Sequence, residues 1–336
     1  MKRKILIAGL ITILALSALF FSIEREEINF LGEAFTYIIK YYVEKLNPVK
    51  VANDGIRGMV KKEGYALLEG TSREYFKREK LFLPGFQGVY GHDSFVITRV
   101  FKGSDAEAKG IKKGDLLVEI EGFPVRLSTH EDVVWRLYGR KNSPVKLRFL
   151  RKFKIRDMEV KRDFPPRDFV WKGNRLVIYR LFRSTVDRIE ARAFGKKKVI
   201  VDLRAFLDGD WRAALSLNGL FPTDLSLTLK GEGREKTLSF RGEFPGKLVV
   251  ITNGACQGAC AMLVYALYHS GAEILSPAQP PSPCPLSPVK FEDNLFFLLP
   301  VMGIYHGEKD ACKEKIKYTK VKKKNLLKEA KKRLEA

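Results

Sequence analysis

One stretch limits most what this chain can become: KLVVITNGACQGACAMLVYALYHSG, Lys247 to Gly271. Leu248 to Ile251 is a short apolar run rich in β-branched residues, long enough for one buried strand. Gly254-Ala255 gives a small-residue turn. Apolar groups then recur at Ala259, Met262, Leu263, Ala266 and Leu267, the spacing of a helix, which Gly271 ends. A buried strand running through a tight turn into a helix belongs to an α/β fold. Such a turn is where α/β enzymes place reactive groups, because backbone N–H groups at a helix start are unpaired and can hold negative charge.

The 336 residues suffice for two compact domains with well-buried cores. The net charge of +22 suits a soluble body with a basic tail, or an anionic partner. The four cysteines, Cys256, Cys260, Cys284 and Cys312, fit no zinc spacing, and neither a metal nor a cofactor is expected. In an exported chain they allow two disulfides in any of three connectivities; reduced packing cysteines are the alternative. Cys256 and Cys260, one helical turn apart, would have Cα atoms roughly 6 Å apart.

Export is expected. Lys2-Arg3-Lys4 precedes an uncharged run, Ile5 to Ile23, just long enough to cross a bilayer. Residues 1–23 therefore read as a single-pass inner-membrane anchor, with the N-terminus in the cytoplasm and the body in the periplasm or outside the cell. Ala15-Leu16-Ser17-Ala18 offers the alternative of a cleaved signal. Either way nucleic acid is not an expected partner.

Residues 24–81 read as a helical region. Phe30, Ala34, Tyr37, Ile38 and Tyr41 recur at helix spacing, Pro48 breaks the run, and Thr71-Ser72-Arg73-Glu74 is a capping box. In 82–151, strands Phe95 to Val100 and Leu116 to Gly122 flank a short helix and tight turn, Ala106 to Asp115. A second helix, Glu131 to Gly139, and a closing strand, Val145 to Arg151, follow. This order resembles a PDZ domain, which implies that an extended peptide adds to an open sheet edge. By that resemblance the loop Gly85-Phe86-Gln87-Gly88-Val89 would hold the peptide's terminal carboxylate, and His130 would touch a ligand side chain. Lys152 to Val170 reads as a charged linker with Pro165-Pro166.

In 152–310, Leu176 to Phe182, a helix to Ala193 and the strand Lys198 to Arg204 form a βαβ unit, hence a parallel sheet. Leu225 to Phe240 reads as a hairpin. With the Lys247–Gly271 stretch, this region resembles the C-terminal processing (tail-specific) serine peptidases. The resemblance implies a mixed or parallel-sheet, peptidase-like α/β core (ClpP/crotonase-like) with an inserted PDZ domain, N-terminal helices and a transmembrane anchor. It also exposes three departures. The family's serine triplet falls on Cys256, Gly258 and Cys260, so the nucleophile position is Gly258. The family's glycine-rich oxyanion loop after Asp-Leu-Arg becomes Ala205 to Asp210, where only Gly209 survives, flanked by Asp208 and Asp210. The family's lysine base falls at Ser282-Pro283, in a segment with six prolines and no lysine; Lys290 is the nearest. Cys256 or Cys260 could substitute as nucleophile, but His269 lies nine residues beyond Cys260 and His306 is unplaced.

The tail, 311–336, carries 11 Lys or Arg against 3 Glu from Lys313 onward and reads as a solvated basic helix or a lipid-facing one. The expectation is a membrane-tethered pseudopeptidase. It would bind protein or peptide C-termini through its PDZ groove, as an adaptor or as the silent partner of an active homologue. The alternative is an active peptidase with a changed nucleophile.

Overall fold

The computed structural model describes residues 48–62, 66–91, 94–165, 167–231, 234–253, 256–284, 286–300 and 302–335. The expected anchor, the helix through Phe30 to Tyr41, the Gly254-Ala255 turn and Pro166 lie outside the described residues. No helix among the described residues is long and apolar enough to cross a membrane. The first described element is helix α1, Pro48–Lys62. Pro48 opens it, because a first-turn residue needs no N–H partner; the run it was expected to break lies outside the described residues.

The expected helical region is interrupted by a strand, β1 (Ala66–Glu69), before α2 (Ser72–Phe76). Ala66, Leu67 and Leu68 are all buried, and three apolar residues in a row carry no helical period. The partner strand comes from more than 200 residues downstream, which no local pattern reveals. The capping box at Thr71 is as expected: Glu74 N donates to Thr71 Oγ1 at 3.1 Å and Thr71 N to Glu74 Oε2 at 2.9 Å.

A sheet in the order β2–β3–β4–β6–β7 follows. It is built from β2 (Phe86–Gly91), β3 (Ser94–Val100), β4 (Leu116–Ile120), β6 (Pro144–Arg151) and β7 (Lys154–Lys161), with β5 (Phe123–Pro124) pairing β4. Helices α3 (Asp105–Ala108) and α4 (His130–Leu137) pack on it around Ile97, Leu117, Val133 and Phe149. The expected linker is thus corrected. Residues 154–161 form a full strand, paired with β6 from Pro144↔Lys161 to Arg151↔Lys154. The strand is nearly all exposed and charged, so it lacks the apolar alternation that marks a strand in sequence.

The second layer system is a six-stranded sheet in the order β21–β16–β15–β11–β9–β8. Its members are β8 (Phe169–Lys172), β9 (Arg175–Ile178), β11 (Lys198–Asp202), β15 (Lys247–Ile251), β16 (Glu273–Ser276) and β21 (Thr319–Lys320). All neighbours are parallel except β8, which is antiparallel to β9. β10 (Arg180–Leu181) pairs with β12 (Asp208–Gly209), and α5 (Arg183–Ala193) and α6 (Trp211–Leu215) follow them. β13 (Leu225–Gly231) and β14 (Arg234–Phe240) form the expected hairpin. Helix α7, Ala259–His269, is buried on all sides from Ala259 to Leu267, more than an amphipathic stripe requires. β17 (Ser287–Glu292) and β18 (Leu295–Leu299) form a hairpin whose second strand pairs β1; β19 (Gly303–His306) and β20 (Lys309–Asp310) extend the β13 sheet.

The basic tail is not a separate solvated helix. β21 adds to the main sheet, and α8 (Leu326–Glu335) buries Leu326, Ala330 and Leu334 against Ile200, Val249, Ile251 and Leu275. Val199, Val201, Leu248 and Val250 point to the opposite face, into the core with α5 and α7. Alternation puts successive residues on opposite faces, so a strand covered on both sides reads as one continuous apolar run. Full burial of Leu326 and Leu334 stabilises the tail by about 1.5–3 kcal/mol each, enough to hold it down despite its charge.

Candidate functional site

Strand β15 and helix α7 meet at Gly258, the N-cap of α7, with φ 55° and ψ −124°. This backbone shape is nearly closed to L side chains. The position is exposed, and a Cβ there would meet nothing within 4 Å. The helix start therefore has no side chain to present where the resemblance places a nucleophile. Cys256 and Cys260 are joined in a disulfide with Cα atoms 5.1 Å apart, 3% and 0% exposed. A buried disulfide sulfur is not a thiolate and cannot attack a carbonyl.

Gly209 faces this turn. A Cβ on it would lie 3.2 Å from Ala259 Cβ and 2.5 Å from Leu181 O, so only glycine fits. Both carboxylates that flank it are engaged. Asp208 accepts from Arg78 Nε at 2.6 Å and Tyr138 Oη at 2.7 Å. Asp210 caps α6, accepting from Arg212 N at 2.8 Å. Arg78 is 4% exposed; it also donates to Gly209 O at 2.6 Å and Tyr75 O at 2.9 Å, and lies over the Tyr75 ring at 3.9 Å. Burial works against its charge, but Asp208, Tyr75 and Tyr138 together outweigh this and raise its pKa. Burial, then Asp208, pushes the Tyr138 hydroxyl well above its ordinary range, so Tyr138 stays a neutral donor. Arg78 and Tyr138 were missed in the sequence. They stand 130 and 70 residues from Asp208, and nothing local marks either.

Around these groups lies an open cleft. Aromatic rings of Tyr75, Phe76, Trp135, Tyr138 and Trp211 wall it, with Gln257, Gly258 and Ala259 at its floor. Among the described residues that line it there is no serine, threonine, lysine or free thiol. Where the family's base would fall, Ser282 Oγ donates to Glu314 O at 2.7 Å, and Cys284, which lines the cleft, is bonded to Cys312. Lys290 Nζ pairs with Asp293 at 2.9 Å on a side chain 67% exposed. His269 and His306 stack on each other at 4.0 Å, with His269 Nε2 3.2 Å from Glu314 Oε2, and neither lines the cleft.

A second groove adjoins the first and shares His130, Val134, Leu207 and Gln257 with it. It lies between α4 and β2, and β2 is the edge strand of its sheet. The expected carboxylate loop is corrected: Phe86 to Val89 belong to strand β2, paired with β3, and only Gly85 precedes it. Gly85 through Gly88 are buried, and Val89 is half-buried. Gly85 and Gly88 abut the Ser104 side chain and the Phe95 ring, where a Cβ would overlap, so packing rather than ligand approach requires glycine. Phe86 sits in the core of its sheet. Gln87 Nε2 donates to Phe206 O at 2.7 Å, tying β2 to the β11–β12 connection. His130 stands in the first turn of α4 near the Phe95 ring at 5.9 Å, with a buried Nδ1 that has no partner among the described residues.

Residues 76–149 match the family model of the PDZ domain. Over 219 residues the chain is 25% identical to a probable CtpA-like serine protease of Staphylococcus aureus strain MRSA252, covering 59% of this chain and 43% of that protein. It is 24% identical over 265 residues to the carboxy-terminal processing protease CtpA of Bacillus subtilis strain 168, covering 71% of this chain and 56% of that protein. The chain spans about half the length of these relatives. Among solved structures, the photosystem II D1 C-terminal processing protease superposes with a TM-score of 0.55 at 16% identity, over 85% of this chain and 91% of that one, a likeness of fold.

Proposed function

We propose that this chain, a PDZ-bearing homologue of the CtpA-like C-terminal processing serine proteases, captures protein or peptide C-termini and does not cut them. One observation carries the reading: the nucleophile position is Gly258, in a cleft with no hydroxyl of serine or threonine, free thiol or lysine among its described lining residues. Opening an amide needs an attacking atom and a base to take its proton. The position of β2 as the edge strand beside α4 supports capture by strand addition, with Phe86, Gln87 and Gly88 of β2 on one side of the groove and His130 on the other.

The rest of the reading follows the sequence. The Ile5–Ile23 run tethers the chain to the inner membrane, with its body in the periplasm or outside the cell. Two disulfides favour an oxidising compartment. The parallel β16–β15–β11–β9 core supports a ClpP/crotonase-like assignment. The protein acts as an adaptor, or as the silent partner of an active homologue.

The test is to incubate the full chain with an unfolded, C-terminally tagged substrate, and separately to titrate fluorescent peptides ending in a free or an amidated carboxylate. Intact substrate and tighter binding of the free carboxylate are expected. Cleavage that disappears on Cys256→Ala or Cys260→Ala would establish a substituted nucleophile and end this reading. Equal binding of both peptides would remove the capture role.

A further inference from the structure

The turn joining β6 to β7 is built from unusual residues for its shape. Two residues make it, Lys152 and Phe153, with φ of 49° and 62°. Such left-handed hairpin turns are normally Asn-Gly or Asp-Gly, because other side chains are strained there. Phe153 is also 98% exposed, and Ile155 beyond it is 66% exposed. A large apolar ring on a strained tip gains nothing for the fold in water, and local rules broken without a folding benefit point to function.

The neighbouring charges indicate the partner. Lys152, Lys154 and Arg156 are exposed and form no ion pair among the described residues. Arg151 anchors the base of the hairpin, donating from Nε to Asp115 Oδ1 at 2.5 Å and from Nη2 to Gly110 O at 2.7 Å. The loop it holds adds exposed Lys109, Lys112 and Lys113. We propose that this hairpin tip is a membrane-contact element, in which Phe153 enters the headgroup boundary of an anionic bilayer while the flanking cations meet lipid phosphates. An apolar ring among cations is the chemistry of interfacial anchors. A soluble polyanion would use the cations but not the ring. The Ile5–Ile23 run, read from the sequence, brings the chain to such a surface.

All four native cysteines are in disulfides, so Phe153→Cys gives the full chain one thiol for a polarity-sensitive fluorophore. The labelled protein is mixed with vesicles of phosphatidylcholine alone and with rising phosphatidylglycerol. A blue shift that needs phosphatidylglycerol, and that raised salt reverses, is expected. Lys152→Glu or Lys154→Glu should raise the phosphatidylglycerol needed, with affinity falling about fivefold or more for each cation lost. The paired change Lys152→Asn with Phe153→Gly, labelled instead at Ile155→Cys, should unfold at a higher temperature than the parent yet lose the shift; misfolding cannot explain that combination. An unchanged spectrum, or an equal shift on phosphatidylcholine alone, overturns the proposal. So does a shift induced by a short DNA duplex without vesicles, or one that rises with protein concentration without lipid.

Discussion

Replacing Gly258 by alanine should destabilise the fold by about 1–3 kcal/mol, the cost of holding an L residue in a glycine-only backbone region. The structure isolates that term. A Cβ at Gly258 meets nothing within 4 Å, so no steric clash adds to it. Alanine is also a poorer N-cap than glycine, which works in the same direction. At about 2 cal/mol/K of unfolding entropy per residue, a chain of this size loses roughly 1.5 °C of Tm per kcal/mol, so a fall of roughly 1.5–5 °C is expected in thermal unfolding followed by circular dichroism. Gly258→Ser should lose less than Gly258→Ala, because serine is a better N-cap, and still show no turnover of a peptide substrate with a free C-terminus. It restores the attacking oxygen, but the described cleft lining has no lysine to take the proton. A neutral or stabilising Gly258→Ala would mean the elbow does not hold its left-handed shape. Turnover by Gly258→Ser would mean that another group lining the cleft, His130 first among them, takes the proton, and the non-cleaving assignment would fail.

Other consequences are as direct. Arg78→Ala leaves the half-buried Asp208 with only its Tyr138 hydrogen bond and should cost about 1.5–3 kcal/mol in urea denaturation; Arg78→Lys should recover only part, lacking the planar fork that reaches Asp208 and two carbonyls. On loop-closure entropy, Cys284→Ser with Cys312→Ser (sequence separation 28) should cost about 3.5 kcal/mol, against about 2 for Cys256→Ser with Cys260→Ser (separation 4); the reverse ranking would refute the entropic account. Burial and then His306 hold the His269 pKa below its ordinary value near 6.5. The unfolded chain therefore binds more protons in mild acid. This contribution is complete above about pH 6.5 and is lost as pH falls toward the folded-state pKa. His269→Gln should flatten that limb of a Tm-versus-pH curve, and an unchanged limb would remove His269 as its source.

Some of this architecture was legible in the residues. The apolar run Leu248–Ile251, the capping box at Thr71 and the β13–β14 hairpin are local patterns, and the structure keeps each. The missing side chain at Gly258 is also a sequence fact. The misreadings share a cause. β7 is a charged edge strand whose apolar pattern is erased by exposure, so it passed for a linker. β1 is too short to show a period, so it passed for helix. The tail's Leu326, Ala330 and Leu334 were outweighed by its lysines.

The residue order fixed where a turn must be tight, where a helix must begin and which atoms the cleft can never contain, since those depend on near neighbours along the chain. It could not say that Cys284 would meet Cys312, that Arg78 would neutralise Asp208 or that Tyr138 would close the same network. Those partners are brought together only by the path of the backbone through two sheets. The energy of each contact depends on burial, which does not exist until the chain has folded.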